Sequence, residues 1–313
     1  MTHHMLVLAG GLSHERDVSL RSGRRVAEAL RGVGLDVTVR DIDATFLGEL
    51  ANDRPSVVIP LLHGASGEDG AIRAVLDAMA VPYVGSDPDA CRAAFDKPTA
   101  KARVAAAGLL TPRSVALPQT TFRELGAAPV MGALLDTLGL PLVVKPAQGG
   151  SSLGATAVRE AADLPAAMVS CFSYADTALV EQLVSGIEIA VSVIETAEGP
   201  MSLPPVEIAP DGGFYDYAAR YTAGATEFFV PARIDLETAA VCSKAALLAH
   251  SALGLRDLSR TDLIIDSSGQ PYFLEVNVAP GMTETSLFPQ AVTAAGLELG
   301  AIWRQLAERA GVR

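Results

Sequence analysis

Residues 5–9 are apolar and run into Gly10-Gly11, the pattern of a strand that ends in a tight turn. Val18, Ser22, Val26 and Leu30 then recur at helical spacing. Val37 and Val39 alternate as a second strand, and residues 57–62 form a third, wholly apolar one. A helix over 69–79 leads to Pro82-Tyr83-Val84-Gly85. Strands alternating with helices predict a doubly wound parallel sheet over roughly the first 90 residues.

Beyond it, residues 89–108 are Ala-rich and helical and carry Lys97 and Lys101. The pattern then predicts a strand over 142–145, a glycine-serine loop over 149–154 and a helix over 161–169. Two further strands, 178–184 and 187–194, are joined through Ser185-Gly186. Residues 211–230 read as a long irregular stretch with Tyr215, Tyr217 and Tyr221, a length that suits a functional lid or a disordered segment. Helices over 236–253 and 291–310 complete the chain. No repeat or low-complexity linker interrupts it, so its domains are expected to pack around a shared cleft.

The segment 260–277 carries the strongest local signal. Two β-branched apolar runs, 261–265 and 271–276, flank Ser267-Ser268-Gly269-Gln270, which predicts a hairpin. If Asp266 and Pro271 close the loop, Asp262 falls opposite Glu275 and Arg260 opposite Asn277. Alternation puts all four polar side chains on one face and Leu263, Ile265, Leu274 and Val276 on the other. Two like charges facing each other across a ladder are destabilising. A hard cation held by carboxylate and amide oxygens would compensate them, Mg²⁺ carrying nucleotide phosphates being the usual case; a solvated hairpin is the simpler alternative.

Composition narrows the choice. The 313 residues suffice for two or three domains, and half are hydrophobic. No apolar run approaches the ~18 residues of a membrane span, and the start lacks the basic flank of a signal peptide. His3 and His4 read as a disordered tail. A net charge of −12 disfavours nucleic acid as a partner, and any phosphate site must be built locally. Cys91, Cys171 and Cys242 are widely spaced and lack a C-x-x-C pair, which fits buried thiols in a reducing, cytoplasmic setting.

Several loops carry candidate chemistry. The loop from Gly149 through Ser151, Ser152 and Gly154 follows a strand ending in Lys145. Glycines there let a phosphate approach, successive N–H groups form an anion nest, and the serines add donors. The loop is not a P-loop, and a plain turn is its bland reading. Residues 62–70, with His63, end a parallel strand where ligands bind in such sheets. Gly11 to Glu15 occupies the equivalent place after the first strand, and Glu15 could take an ammonium group or simply serve a helix N-terminus. Glu181 and Glu188 are equally readable as exposed carboxylates. Gly281 and Ser286 follow the hairpin closely enough to donate to an oxyanion or carboxylate.

Taken in order, GGLSHERDVS, LHGASGEDGAI, PYVGS, DKPTAK, LVVKPAQGGSSLG, VEQLVSGIE, FYDYAARY, RTDLIID and FLEVNVAPGMTETSLFP resemble the D-alanine–D-alanine ligase family of the ATP-grasp superfamily. The likeness runs from Gly10 to Pro289. It implies an α/β fold of three domains: residues 1–95 for one amino acid, 96–180 as a small ATP-grasp domain, and 181–313 with the metal site and lid. It also implies a homodimer in the cytoplasm that serves peptidoglycan synthesis, with ATP, D-alanine and two Mg²⁺ (or Mn²⁺) as ligands.

By that resemblance, Lys97, Lys145 and Ser152 would contact the ATP phosphates. Glu181, Gln182, Leu183 and Val184 would hold the adenine, and Glu188 the ribose. Asp262, Glu275 and Asn277 would ligate the metals. Glu15 would fix the first D-alanine's ammonium with His63 beside it, and Ser151 and Tyr221 would link Glu15 to the lid. Arg260 and the Gly281 N–H would stabilise the tetrahedral intermediate, and Ser286 with Leu287 would receive the second D-alanine's carboxylate. ATP would phosphorylate one carboxylate, and a second amine would attack the acyl phosphate; no side chain stands out as the base for that amine.

Three positions depart from the family pattern. Gly149 stands where many members carry an acidic residue, Arg220 replaces a lysine before the lid tyrosine, and Val278-Ala279 replaces Thr-Leu. Arg keeps the charge but prefers a planar partner, which bears on the second substrate. D-serine or D-lactate as that substrate, a non-catalytic nucleotide-binding regulator, and a nicotinamide-dependent dehydrogenase are the rival readings. Intact Lys97, Lys145 and metal ligands oppose the regulator, and the lack of G-x-G-x-x-G opposes the dehydrogenase.

Overall fold

The computed structural model describes residues 4–222 and 224–313, Tyr221 in its backbone only. His3 and Ala223, the latter in the tyrosine stretch, lie outside the described residues. His4 does not belong to a tail: it opens the first strand, and its carbonyl accepts the Ser56 N–H at 2.8 Å.

The N-terminal pattern folds as β1 (His4–Leu8), α1 (Arg16–Gly32), β2 (Asp36–Arg40), α2 (Phe46–Asn52), β3 (Val57–Pro60), α3 (Ala65–Glu68) and α4 (Ala71–Ala78). The strands are parallel in the order β2-β1-β3. Both faces are covered, which explains the continuous apolar runs. Met5, Val7, Val57 and Ile59 pack toward Val26, Leu30 and Trp303, while Leu6, Leu8 and Val58 pack toward Phe46, Leu50 and Leu76.

The helix expected over 89–108 is two helices, α5 (Pro88–Phe95) and α6 (Lys97–Ala106). Asp96 breaks it: its backbone is extended, and its carboxylate accepts the Thr99 N–H at 3.0 Å, capping α6 just before Pro98. Next come β4 (Ser114–Pro118), α7 (Gln119–Leu125), α8 (Ala127–Leu138), β5 (Leu142–Pro146), β6 (Thr156–Val158), α9 (Leu164–Phe172) and β7 (Thr177–Gln182). These strands form an antiparallel sheet, β4-β7-β5-β6, with α8 and α9 burying Leu134, Leu138, Leu164 and Met168 against it.

The larger antiparallel sheet holds β8 (Ile187–Thr196), β9 (Gly199–Ser202), β10 (Val206–Pro210), β11 (Thr226–Phe229), β12 (Leu258–Ile265) and β13 (Pro271–Asn277). Ser185-Gly186 therefore does not close a hairpin; it carries the chain from one sheet to another. The stretch 211–230 is also less irregular than its composition suggests, since it contains α10 (Tyr217–Tyr221) and β11. Helix α11 (Leu236–Ala252) packs Cys242, Ala246 and Ala249 on one face of this sheet beside α5 and α6. The last helical run splits into α12 (Leu287–Ala294) and α13 (Leu299–Gly311), separated at Gly296, where φ is +70°. Helix α13 seats Trp303 and Leu306 in the core shared with the parallel sheet, and each such buried side chain contributes roughly 1.5–3 kcal/mol. No helix among the described residues is long and apolar enough to cross a membrane.

Candidate functional site

A cleft of about 500 Å³ lies between the two antiparallel sheets. The smaller sheet and its Gly/Ser loop supply Val143, Lys145, Gly149, Gly150, Ser152 and Glu181. The larger sheet supplies Glu188, Ile208, Asp262, Ile264, Leu274 and Glu275, and the segment around α10 adds Phe214, Tyr215 and Arg220.

The hairpin register at the functional positions is the one expected, with Arg260 opposite Asn277 and Asp262 opposite Glu275. The route to it differs. The ladder ends at Ile265↔Pro271, and a bulge between Asp262 and Leu263 restores the pairing further along. That bulge corrects the expected apolar face: Phe273 takes the core position with Leu263, Ile265 and Val276, while Leu274 turns to the cleft beside Glu275.

The opposed carboxylates are balanced by the protein's own cations. The Arg260 guanidinium donates to both Asp262 oxygens at 2.7 Å, and Lys97 Nζ stands 3.3 Å from Glu275. Burial alone would raise the Glu275 carboxyl, but Lys97 and Lys145 hold it down at about 2. Glu188 is pushed up to about 8, by burial first and then by the charge of Asp262.

Lys145 and Lys101 converge on Glu181 at 2.5 and 2.8 Å, with Lys101 and Glu181 buried and Lys145 partly so. Glu181 stays ionised because the two lysines outweigh its burial, and Lys145 stays charged against burial through Glu181 and Glu275. Lys101 is lowered to about 8 by burial, with Glu181 opposing. The Gln182 side chain is committed elsewhere, donating to the Leu138 carbonyl at 2.7 Å, and the Leu183 N–H donates to the Pro141 carbonyl at 3.0 Å. Gln182, Leu183 and Val184 all line the cleft.

The Gly/Ser loop is fixed at several points. Lys97 donates to the Gly149 carbonyl at 2.7 Å, Ser152 to the Tyr215 carbonyl at 3.0 Å, and Ser151 to the Glu15 carboxylate. Gly149 adopts φ +120°, a conformation open to glycine and costly for an acidic side chain, so its departure from the family pattern is matched by the backbone. Arg220 stacks 4.7 Å from the Tyr215 ring centroid, a planar contact that a lysine would not reproduce. Tyr221 closes α10, but its side chain lies outside the described residues.

Arg260 extends the site toward the parallel sheet. With the Asn277 amide oriented to suit its neighbours, its oxygen accepts from Arg260 at 2.9 Å and its NH₂ donates to Glu68 at 3.0 Å. The motif around Gly64 gave no role to Glu68, which is buried and pushed up to about 8 by burial and by Glu15; it lies four residues after Gly64, whose N–H it accepts at 3.0 Å. His63, lowered by burial, lies 3.4 Å from the Ser22 hydroxyl, which also accepts the Met282 N–H at 3.0 Å. The loop after the hairpin is thereby tied to α1. Ser286 accepts the Thr283 N–H at 3.0 Å, and a Cβ on Gly281 would stand 2.8 Å from its hydroxyl. Leu287 opens α12 with its side chain in the core.

Among the described residues no group of three or more His, Cys, Asp or Glu side chains is disposed to hold a metal. The donor set is instead two carboxylates and one amide, with a third carboxylate, Glu188, crowded by their charge. Oxygen donors of this kind suit Mg²⁺ or Mn²⁺.

Comparison with known proteins agrees with this arrangement. Residues 104–308 match the family described as D-ala D-ala ligase C-terminus. A D-alanine–D-alanine ligase from Anaeromyxobacter sp. (strain K) is 39% identical over 307 residues, covering 98% of this chain and 96% of its own. The ligase from Anaeromyxobacter dehalogenans is 42% identical over 291 residues, 93% and 91% of the two chains. Among solved structures, the VanG D-Ala:D-Ser ligase from Enterococcus faecalis superposes with a TM-score of 0.84 at 28% identity, covering 98% and 99%. The Bacillus anthracis D-alanine–D-alanine ligase complexed with ATP gives 0.79 at 27%, covering 99% and 97%. The fold and cleft are those of an ATP-grasp carboxylate–amine ligase. The chain belongs to the D-alanine–D-alanine ligase family.

Proposed function

We propose that this protein joins two molecules of D-alanine at the expense of ATP, releasing ADP and phosphate, and so serves peptidoglycan precursor synthesis in the cytoplasm. The observation that carries this reading is the pairing of Asp262 with Glu275 directly across from Lys97 and Lys145, with Glu15 reached through Ser151 on the same Gly/Ser loop.

In this reading Lys97, Lys145 and Ser152 bind the phosphates of ATP, the segment from Glu181 to Val184 holds the adenine, and Glu188 the ribose. Asp262, Glu275 and Asn277 would hold two Mg²⁺, or Mn²⁺ in their place, and the ions when bound would neutralise phosphate charge. Glu15 takes the ammonium of the first D-alanine beside His63, and Tyr221 with Ser151 connects that carboxylate to the lid. The carboxylate of that first D-alanine attacks the terminal phosphorus of ATP, giving its acyl phosphate and ADP. The amine of the second D-alanine, held by Ser286 and Leu287, then attacks the acyl carbon, and phosphate leaves.

Arg260 and the Gly281 N–H face the oxyanion of that second step. A preorganised donor of this kind is worth roughly 3–4 kcal/mol of barrier. Arg220 and α10 close over the site and exclude water, which would otherwise hydrolyse the acyl phosphate. The assignment of three domains at 1–95, 96–180 and 181–313, and of a homodimer, belongs to the same proposal.

The test is ADP release with ATP, Mg²⁺ and D-alanine, followed by competition with D-serine and D-lactate and identification of products by mass. D-alanyl-D-alanine as the main product supports the reading. Preferential formation of D-alanyl-D-serine would keep the ligase chemistry and reassign the second substrate.

A further inference from the structure

A second cavity, of about 560 Å³, lies on the other side of the Gly/Ser loop from the nucleotide cleft. Pro146, Gly149, Gly150 and Leu153 belong to the walls of both. The two differ in their cations. The cleft sets Lys97, Lys145, Arg159 and Arg220 beside Glu181, Glu188, Glu207, Asp262 and Glu275. Among the described residues the second cavity is lined by no lysine or arginine, and its charged or chargeable side chains near neutral pH are His14, Glu15, Asp96 and Asp176.

Glu15 is the point where this cavity meets the proposed reaction. Gly64 and Gly150 flank it, and a Cβ at either position would stand 3.4 Å from Glu15 Oε2, so the two glycines keep the carboxylate open from this side. The rim is held in place by backbone and side-chain contacts: Gln148 donates to Asp96 at 3.1 Å, and the Asp176 carbonyl accepts the Gln119 N–H at 2.8 Å. A polyanion gains nothing from such a lining. A small zwitterion led by its ammonium does, because a concave surface of one sign focuses the field and speeds arrival of the opposite charge.

We propose that this second cavity is the portal through which the first amino acid reaches Glu15 once ATP fills the main cleft. The inference rests on the functional reading of Glu15 given above and adds a route to it. Entry on the far side of the Gly/Ser loop lets the amino acid arrive without displacing bound nucleotide.

Two substitutions at the rim, neither in the nucleotide cleft, test the route at saturating ATP. Ala175→Trp fills the mouth, and its expected effect is a KM for D-alanine raised about tenfold, the order of a lost steering and access advantage. Asp176→Lys places a cation on the rim; the KM for D-alanine is expected to rise about threefold at low salt and to return toward wild type as salt screens it. The KM for ATP should stay within about twofold of wild type in both variants, a change too small to reflect altered cleft contacts. If both variants keep the wild-type KM for D-alanine while the wild type ligates normally, the portal is wrong and the functional reading stands. If the KM for ATP rises in step with that for D-alanine, the two routes are not separate and the portal is again wrong. A wild-type protein that forms no product from D-alanine overturns both.

Discussion

Replacing Glu181 by Gln removes the single anion that holds Lys101 and Lys145 together. At 2.5 and 2.8 Å, and with an effective dielectric of about 20, each contact is worth on the order of 6 kcal/mol of attraction before desolvation. Burying three charges consumes most of that, and removing one partner from such a buried group costs about 3–5 kcal/mol. The variant has one escape: Lys101, already lowered to about 8 by burial, can release its proton once its partner is gone. The loss should therefore be largest below pH 7 and smaller above 9. Urea unfolding followed by far-ultraviolet circular dichroism and by fluorescence of Trp303, the sole tryptophan, measures it. Adding Lys101→Met to Glu181→Gln should recover stability, because the repulsion between two ammonium groups disappears. The KM for ATP should rise in the single variant, since Lys145 loses the contact that aims it. A stability loss below about 1 kcal/mol, the level of an exposed ion pair, or no recovery in the double variant, would refute the reasoning.

Further outcomes follow from the same geometry. Glu275→Ala should abolish ADP release while leaving the fold intact by circular dichroism; full retained turnover would remove Glu275 from the metal set. Arg260→Lys should lower kcat by about 10²–10³-fold with a smaller change in the KM for ATP; an effect confined to KM would contradict an oxyanion role. Glu188 and Glu68, with carboxyls raised from 4.5 to about 8, contribute stability that is complete below 4.5 and is lost as pH rises through about 8. Urea midpoints of the ligand-free protein should accordingly fall across that window, and Glu188→Gln should flatten the slope; an unchanged slope would show that Glu188 is not the group responsible.

Much of the fold was legible because its signals are periodic. Two of the parallel strands read directly from residues 5–9 and 57–62, since strands buried on both faces leave unbroken apolar runs, and the edge strand β2 from the alternation of Val37 and Val39. The opposition of Asp262 and Glu275 was legible from pairing arithmetic, yet for an incomplete reason: the hairpin closes one pair earlier and a bulge makes up the difference. No alternation rule shows a bulge, and so Leu274 was misplaced. Asp96 interrupts an Ala-rich helix through a capping contact that composition hides. The separation of β7 and β8 into different sheets was invisible, because Ser185-Gly186 has the chemistry of an ordinary turn. Residues 110–141 offered little pattern; β4 is half exposed along its length and stands at the sheet edge beside β7. The site residues with clear local chemistry are brought together by contacts distant in sequence, Lys97 to Gly149, Ser151 to Glu15 and Lys145 to Glu181, and for these the family resemblance supplied what spacing could not. Glu68 and Lys101 act on other side chains and leave no motif of their own.

In the proposed reaction a D-alanine carboxylate is phosphorylated and then attacked by a second amine. The most direct measurement uses D-alanine whose carboxylate carries heavy oxygen, with ATP and Mg²⁺, and follows the label by mass into dipeptide and inorganic phosphate. An acyl phosphate route transfers one carboxylate oxygen to each phosphate released, in step with D-alanyl-D-alanine formed. Phosphate free of label, with or without dipeptide, would mean that the carboxylate never bonded to phosphorus and would contradict the account.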